Sequence, residues 1–134
     1  MVEVNRKTGV LRATHFAIVR DCVQVINPDG VPNQIETNAV QTVSRTLKEQ
    51  VTFDRSRVTS LDWASYPILT FPEIPTVDIE LVDCPTDKPW GPGEPAAAVV
   101  PAAIANAVFD AIGVRLRSVP FTPAKVLAAI QAGP

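Results

Sequence analysis

The chain has one histidine, two cysteines and no surplus of basic residues. His15, Cys22 and Cys84 are too few to assemble a zinc or iron–sulfur centre from protein ligands alone. The spacing of the cysteines does not argue for a disulfide, and both read as core thiols, a common place for free cysteine. Twelve lysines and arginines against fourteen acids leave a net charge of -2. A nucleic-acid-binding surface would need a basic footprint, so that partner class is not expected. No run of 18 apolar residues escapes interruption by charge or proline, and no charged-then-apolar leader opens the chain. Membrane insertion is therefore not expected, and the cytoplasm is the expected location, with the periplasm after co-export with a partner as the alternative. Charged residues make up only 19% and hydrophobic ones 46%, which predicts a buried core rather than disorder. A length of 134 residues suits a single domain, 1–134.

Proline, by contrast, is abundant, with thirteen residues crowded mainly between Pro67 and Pro101. Within that region Gly91-Pro92-Gly93-Glu94-Pro95 sets one carboxylate among two glycines and two prolines. Glycine lets a ligand approach the backbone, and proline stiffens the loop and suits the first turn of a helix. Beyond it Val99, Val100, Ala103, Ile104, Ala107, Val108, Ala111 and Ile112 recur at three- and four-residue steps, which predicts a helix over 96–112. Glu94 then stands just before a helix start, where the partial positive charge favours its ionised form. By local chemistry alone an acid there is a cap; on a stiff loop it is also suited to serve as a base.

The rest of the chain reads as alternating hairpins and helices. Val2–Val4 and Val10–Val19 flank the polar turn Asn5-Arg6-Lys7-Thr8-Gly9, a β-hairpin pattern. Both faces of the second strand carry apolar residues, so it is expected to be covered on two sides, with His15 as a surface strand residue. Asn27-Pro28-Asp29-Gly30 is a turn cluster. Ile35, Ala39, Val40, Val43 and Leu47 then form one apolar stripe of a helix over Asn33–Gln50. A second hairpin is expected from Val51–Phe53 and Val58–Ser60. The proline-rich stretch from Trp63 to Phe71 follows as an extended segment anchored by aromatics. Val77, Ile79 and Leu81 alternate with Asp78, Glu80 and Val82 as a half-buried strand, and Trp90 reads as a packing anchor. A short strand over Arg115–Val119 precedes a helix that Thr122 caps and Pro123 opens. The fold class is α+β: hairpins and mixed strands packed with two longer helices and a short C-terminal helix.

The string Gly91-Pro92-Gly93-Glu94-Pro95, with Pro101 to Arg117 after it, resembles the end of the cofactor-binding large subunit of molybdenum hydroxylases. This is the xanthine dehydrogenase and aldehyde oxidase family, and the bacterial branch with isoquinoline oxidoreductase and nicotinate dehydrogenase looks most similar. Asn27-Pro28, with Gln34-Ile35-Glu36 at a helix head, resembles a second segment of that family. The resemblance implies a molybdopterin-type molybdenum cofactor held through its dithiolene rather than by protein ligands. It implies Gln34 and Gly93 as cofactor-binding residues and Glu94 as the base in hydroxylation of an aldehyde or N-heteroaromatic carbon. It further implies that the chain is the C-terminal segment of a larger subunit, inactive and self-associating when isolated. Its partners would be the remainder of that subunit, an iron–sulfur subunit, and a flavin or cytochrome subunit. The chain departs from the family pattern at Val23 and Thr37, where relatives usually carry glycine. A side chain there can crowd a cofactor, which supports the alternative of a non-catalytic structural or interaction module with the same fold.

Overall fold

The computed structural model describes residues 1–22, 24–82 and 84–133. Four strands and three helices follow in the order β1 (Val2–Val4), β2 (Leu11–Ala13), β3 (His15–Asp21), α1 (Gly30–Leu47), β4 (Thr76–Val82), α2 (Glu94–Ile112) and α3 (Pro123–Ala132). The first hairpin forms as its turn chemistry dictates, with β1 antiparallel to β2 and Val2 opposite Ala13. Gly9 closes it at φ +73°, in the left-handed region that glycine tolerates, and a Cβ there would lie 2.2 Å from the Pro123 carbonyl oxygen.

The expected single strand Val10–Val19 is instead two. The chain passes through Thr14, and β3 leaves the hairpin to pair in parallel with β4, His15 opposite Thr76 and Asp21 opposite Val82. Parallel neighbours need a crossover, which α1 supplies. The alternation of Val77, Ile79 and Leu81 against their polar neighbours appears as half-buried against exposed positions along β4. His15 is a partly exposed strand residue whose Nε2 lies 2.7 Å from Asp78 Oδ2.

Helix α1 starts three residues before the expected Asn33 because Asn27 does more than break the chain. Its Oδ1 accepts from the amides of Asp29 and Gly30, and its carbonyl accepts from Val31. Pro32 falls in the first turn, where its missing donor costs no helical bond. The helix ends at Leu47, with the amides of Lys48 and Glu49 both donating to Ser44. Ile35, Ala39 and Val43 are fully buried, as the stripe requires. Helix α2 contributes Ala96, Val100, Ile104 and Val108 to the core, and Leu116, Phe121 and Val126 close it from the chain's end. Thr122 caps α3 through the Lys125 amide. By length and composition α2 could cross a membrane, with a mean hydropathy of 1.6, but its buried face is part of this core.

Three other expectations are corrected. The second hairpin forms only as a short one, with Phe53 bridged to Val58, the Asp54 amide donating to the Arg57 carbonyl and the Thr59 amide to that of Thr52, and its residues are nearly all exposed rather than packed. Residues 115–119 form no strand; Val114 and Leu116 are buried as single side chains, and Arg115 stacks over Phe109 instead of joining a ladder. Trp90 is 72% exposed and anchors nothing, and Trp63 and Phe71 likewise face outward. Aromatic side chains anchor only where another group covers or holds them, as Glu49 holds half-buried Tyr66, and nothing covers Trp90, Trp63 or Phe71 among the described residues. Cys22 is buried and Cys84 partly so, both free.

Candidate active-site rim

Strands β3 and β4 run side by side in the same direction, and each is followed by a helix. The loop after β3 leads into α1, and the loop after β4 leads into α2. Both helix N-termini therefore arise from loops that leave the same end of the strand pair. In open parallel sheets this carboxyl end is where ligands sit, because loops and helix N-termini converge there.

The segment before α2 is poor in side chains and is tied to the end of β3 and to Cys22 just beyond it. Arg20 donates from Nη2 to the Gly91 carbonyl at 3.2 Å, and the Trp90 amide donates to the Cys22 carbonyl at 3.4 Å. The Nε of Arg20 is buried with no hydrogen-bond partner among the described residues. Gly93 is the residue before the first helical turn and is buried against α1. A Cβ added to it would stand 2.7 Å from Asn38 Nδ2 and 3.4 Å from Gln34 Oε1, so only glycine lets the two helices approach this closely. Glu94 opens α2 rather than preceding it, and it is exposed. Its place in the first turn sets the carboxylate by the positive end of the helix dipole.

The three residues singled out in the sequence thus meet at one rim. Gln34 belongs to the second turn of α1, and Gly93 and Glu94 to the entry of α2. Gln34 and Glu94 are both exposed, and among the described residues no protein group pairs with either side chain. Thr37, one turn along α1, is exposed and described; Val23 lies outside the described residues. The structure adds two residues that sequence reading passed over. Asn38 donates from its amide to the Gln34 carbonyl at 2.9 Å and forms the floor against which Gly93 packs. Its position four residues after Gln34, on the same helical face, is the available signal. Arg20 holds the loop, and only the tertiary arrangement shows it.

A concavity of about 340 Å³ lined by Ser60, Leu61, Asp62, Trp63 and Tyr66 is not part of this rim. Tyr66 donates to Glu49, just past the last turn of α1. Gln34 lies near the first turn, roughly 20 Å away at 1.5 Å rise per residue. No group of three or more His, Cys, Asp or Glu residues able to hold a metal occurs among the described residues.

Comparison with known proteins identifies the family to which the chain belongs. Residues 1–75 match the family described as a molybdopterin cofactor-binding domain. The chain is 46% identical over 96% of its length to a nicotinate dehydrogenase subunit from Pseudomonas putida, of which it spans 11%. It is 39% identical over 98% of its length to a protein of Gluconacetobacter polyoxogenes named membrane-bound aldehyde dehydrogenase [pyrroloquinoline-quinone], of which it spans 17%. The crystal structure of quinoline 2-oxidoreductase from Pseudomonas putida superposes with a TM-score of 0.86 at 31% identity, covering 99% of this chain and 18% of that one. The chain thus spans between about a tenth and a fifth of the length of these relatives. With more than half of its residues matched and its fold shared, the chain belongs to the molybdopterin cofactor-binding domain family of the molybdenum hydroxylases.

Proposed function

We propose that the chain is the C-terminal cofactor-domain segment of a molybdenum-dependent oxidoreductase that hydroxylates an aldehyde or N-heteroaromatic carbon. The observation that carries the proposal is the meeting of Gln34, Gly93 and Glu94 at the carboxyl end of the β3–β4 pair. The residues fit a large pterin cofactor in three respects. The absence of a Cβ at Gly93 seats the entry of α2 directly against α1, which brings the Gly93 backbone and Glu94 beside Gln34. The Gln34 amide, with two donors and an acceptor, has no protein partner among the described residues. The buried Nε of Arg20 also lacks one. When bound, the molybdenum cofactor supplies oxygen transfer to carbon and a sink for two electrons.

The chain's own residues supply positioning and a proton acceptor. Gln34 and the backbone at Gly93 hold the cofactor edge. Arg20 holds the loop carbonyl of Gly91, which keeps the entry of α2 in place. Glu94 accepts a proton at its carboxylate; it is exposed and has no ion-pair partner among the described residues, so none must break first. A base placed near the reacting centre without being bound to it is the device general-base catalysis needs. The names of the relatives, which include nicotinate and quinoline enzymes, support a heteroaromatic substrate, and the aldehyde dehydrogenase name supports the aldehyde class.

The remaining parts of the enzyme are expected on partners: the rest of the cofactor subunit, an iron–sulfur subunit, and a flavin or cytochrome subunit. Exposed Leu61 and Trp63, which line one concavity, support this reading, since contiguous apolar surface usually marks a contact. The test is Glu94→Gln in the assembled enzyme. Turnover should fall by about 10²–10⁴, the usual cost of removing a general base, with molybdenum and pterin content unchanged. Equal turnover would remove Glu94 from the chemistry. A folded assembly that never carries molybdenum would leave the non-catalytic module as the better account.

A further inference from the structure

Between Ala17 and Arg20, strand β3 has a neighbouring strand on one side only among the described residues. β4 flanks it over its whole length. On the other side the ladder between β1 and β2 runs one step past Ala13: the Thr14 amide donates to the Met1 carbonyl at 3.1 Å, and the Met1 amino group donates to the His15 carbonyl. From Ala17 to Arg20 no second strand flanks that edge among the described residues. A parallel pair standing alone is unusual, since parallel strands normally lie inside larger, covered sheets and two-stranded units are marginal.

The unpaired edge is also walled. Two concavities of about 180 Å³ each lie between β3 and α2. One includes Met1, Val2, Phe16, Ala103 and Ala107; the other sets Phe16–Val19 against Val99, Val100 and Ala103. They share Phe16, Ala17 and Ala103, so they form one continuous groove. Its α2 wall is made of small and branched apolar side chains, with Val99 62% exposed. A groove with backbone hydrogen-bonding groups along one side and apolar side chains along the other suits an added strand. The strand's main chain pairs with the edge, and alternate side chains fill the wall.

We propose that the Ala17–Arg20 edge of β3 and the Val99–Ala107 wall of α2 form a strand-acceptor groove. Its occupant in the assembled enzyme is an extended apolar segment of the larger cofactor subunit, running antiparallel to β3 in line with β1. The direction follows from the β1–β2 ladder, which already reaches His15 with that polarity. The source follows from length: nearly all of this chain superposes on a relative of which it is under a fifth, so most of such a subunit lies outside it. This proposal rests on the reading that the chain is one segment of such a subunit.

The test is hydrogen–deuterium exchange of the β3 amides in the chain alone and in the chain co-expressed with the rest of the cofactor subunit. The alternate amides that point away from β4 should slow by about tenfold or more on assembly, as amides entering a ladder do. Ala103→Glu, at an exposed position, places a carboxylate in the groove. It should weaken association by about tenfold or more without lowering the chain's own melting temperature. Assembly that leaves β3 exchange unchanged, or that tolerates Ala103→Glu, overturns the groove but not the proposed function. Failure to associate with the cofactor subunit at all overturns both. Equal protection of β3 in self-associated chain alone would make a second copy the occupant and refute the assignment.

Discussion

Replacing Gly93 by alanine tests the rim most directly, because its cost can be worked from the geometry. Gly93 has φ -82° and ψ -67°, which alanine adopts freely, so no backbone strain arises. The effect is steric. The new Cβ would stand 2.7 Å from Asn38 Nδ2, and ordinary carbon contacts are about 3.5–4.0 Å, so the amide must retreat by roughly 0.8 Å or more. Asn38 can swing, but doing so strains or breaks its bond to the Gln34 carbonyl, worth about 0.5–1.5 kcal/mol. Gly91 in the same loop is the reference, since a Cβ there meets nothing within 4 Å. Both substitutions reduce the freedom of the unfolded chain by a similar amount, which favours folding by about 0.4–1 kcal/mol. The difference between them therefore isolates the clash, and urea unfolding should find Gly93→Ala less stable than Gly91→Ala by about 1–2 kcal/mol. In an Asn38→Ala background that gap should close, as a double-mutant cycle measures. A gap of zero, or one that survives loss of Asn38, would refute the account of how α2 is seated on α1.

Two more outcomes follow from the loop and from the outer end of α1. Arg20→Met removes the donor to Gly91 and should speed hydrogen exchange of the 90–93 amides, lowering the local opening free energy by about 1–2 kcal/mol. Global stability should change less, because the same substitution removes an unpaired buried Nε; unchanged loop exchange would dismiss Arg20 as a positioning residue. At Glu73 partial burial pushes the carboxyl up, but the Lys48 ammonium and the hydroxyl and amide of Thr70 outweigh it and hold the group at about 2, from 4.5. A depressed carboxyl contributes stability that is complete above its unfolded value and is lost as pH falls through the folded one. The wild type should thus lose stability between about pH 5 and 2 more steeply than Glu73→Gln. Parallel acid-unfolding curves for the two would contradict this.

The sequence alone determined what local chemistry can report. The stripes over α1 and α2, the Thr122–Pro123 start of α3 and the alternation in β4 were all legible, because each element carries its own period and its own end signals. The Gly91–Pro95 loop was legible as a stiff, side-chain-poor entry to a helix, and with it Glu94. The break at Thr14 was not, because Val10–Val19 is uniformly strand-like and periodicity does not say which partner a strand will choose. That choice fell to the parallel register with β4, far along the chain. Trp90 and the 115–119 segment were misread for the same reason: an apolar or β-prone residue states a preference for cover, and only the fold shows whether cover exists. The rim itself belongs to the tertiary structure. Gln34 and Gly93 are distant in sequence, and their approach depends on α1 and α2 packing closely enough that Asn38 leaves no room for a Cβ. Local residues chose the parts; the distance between them was decided by packing.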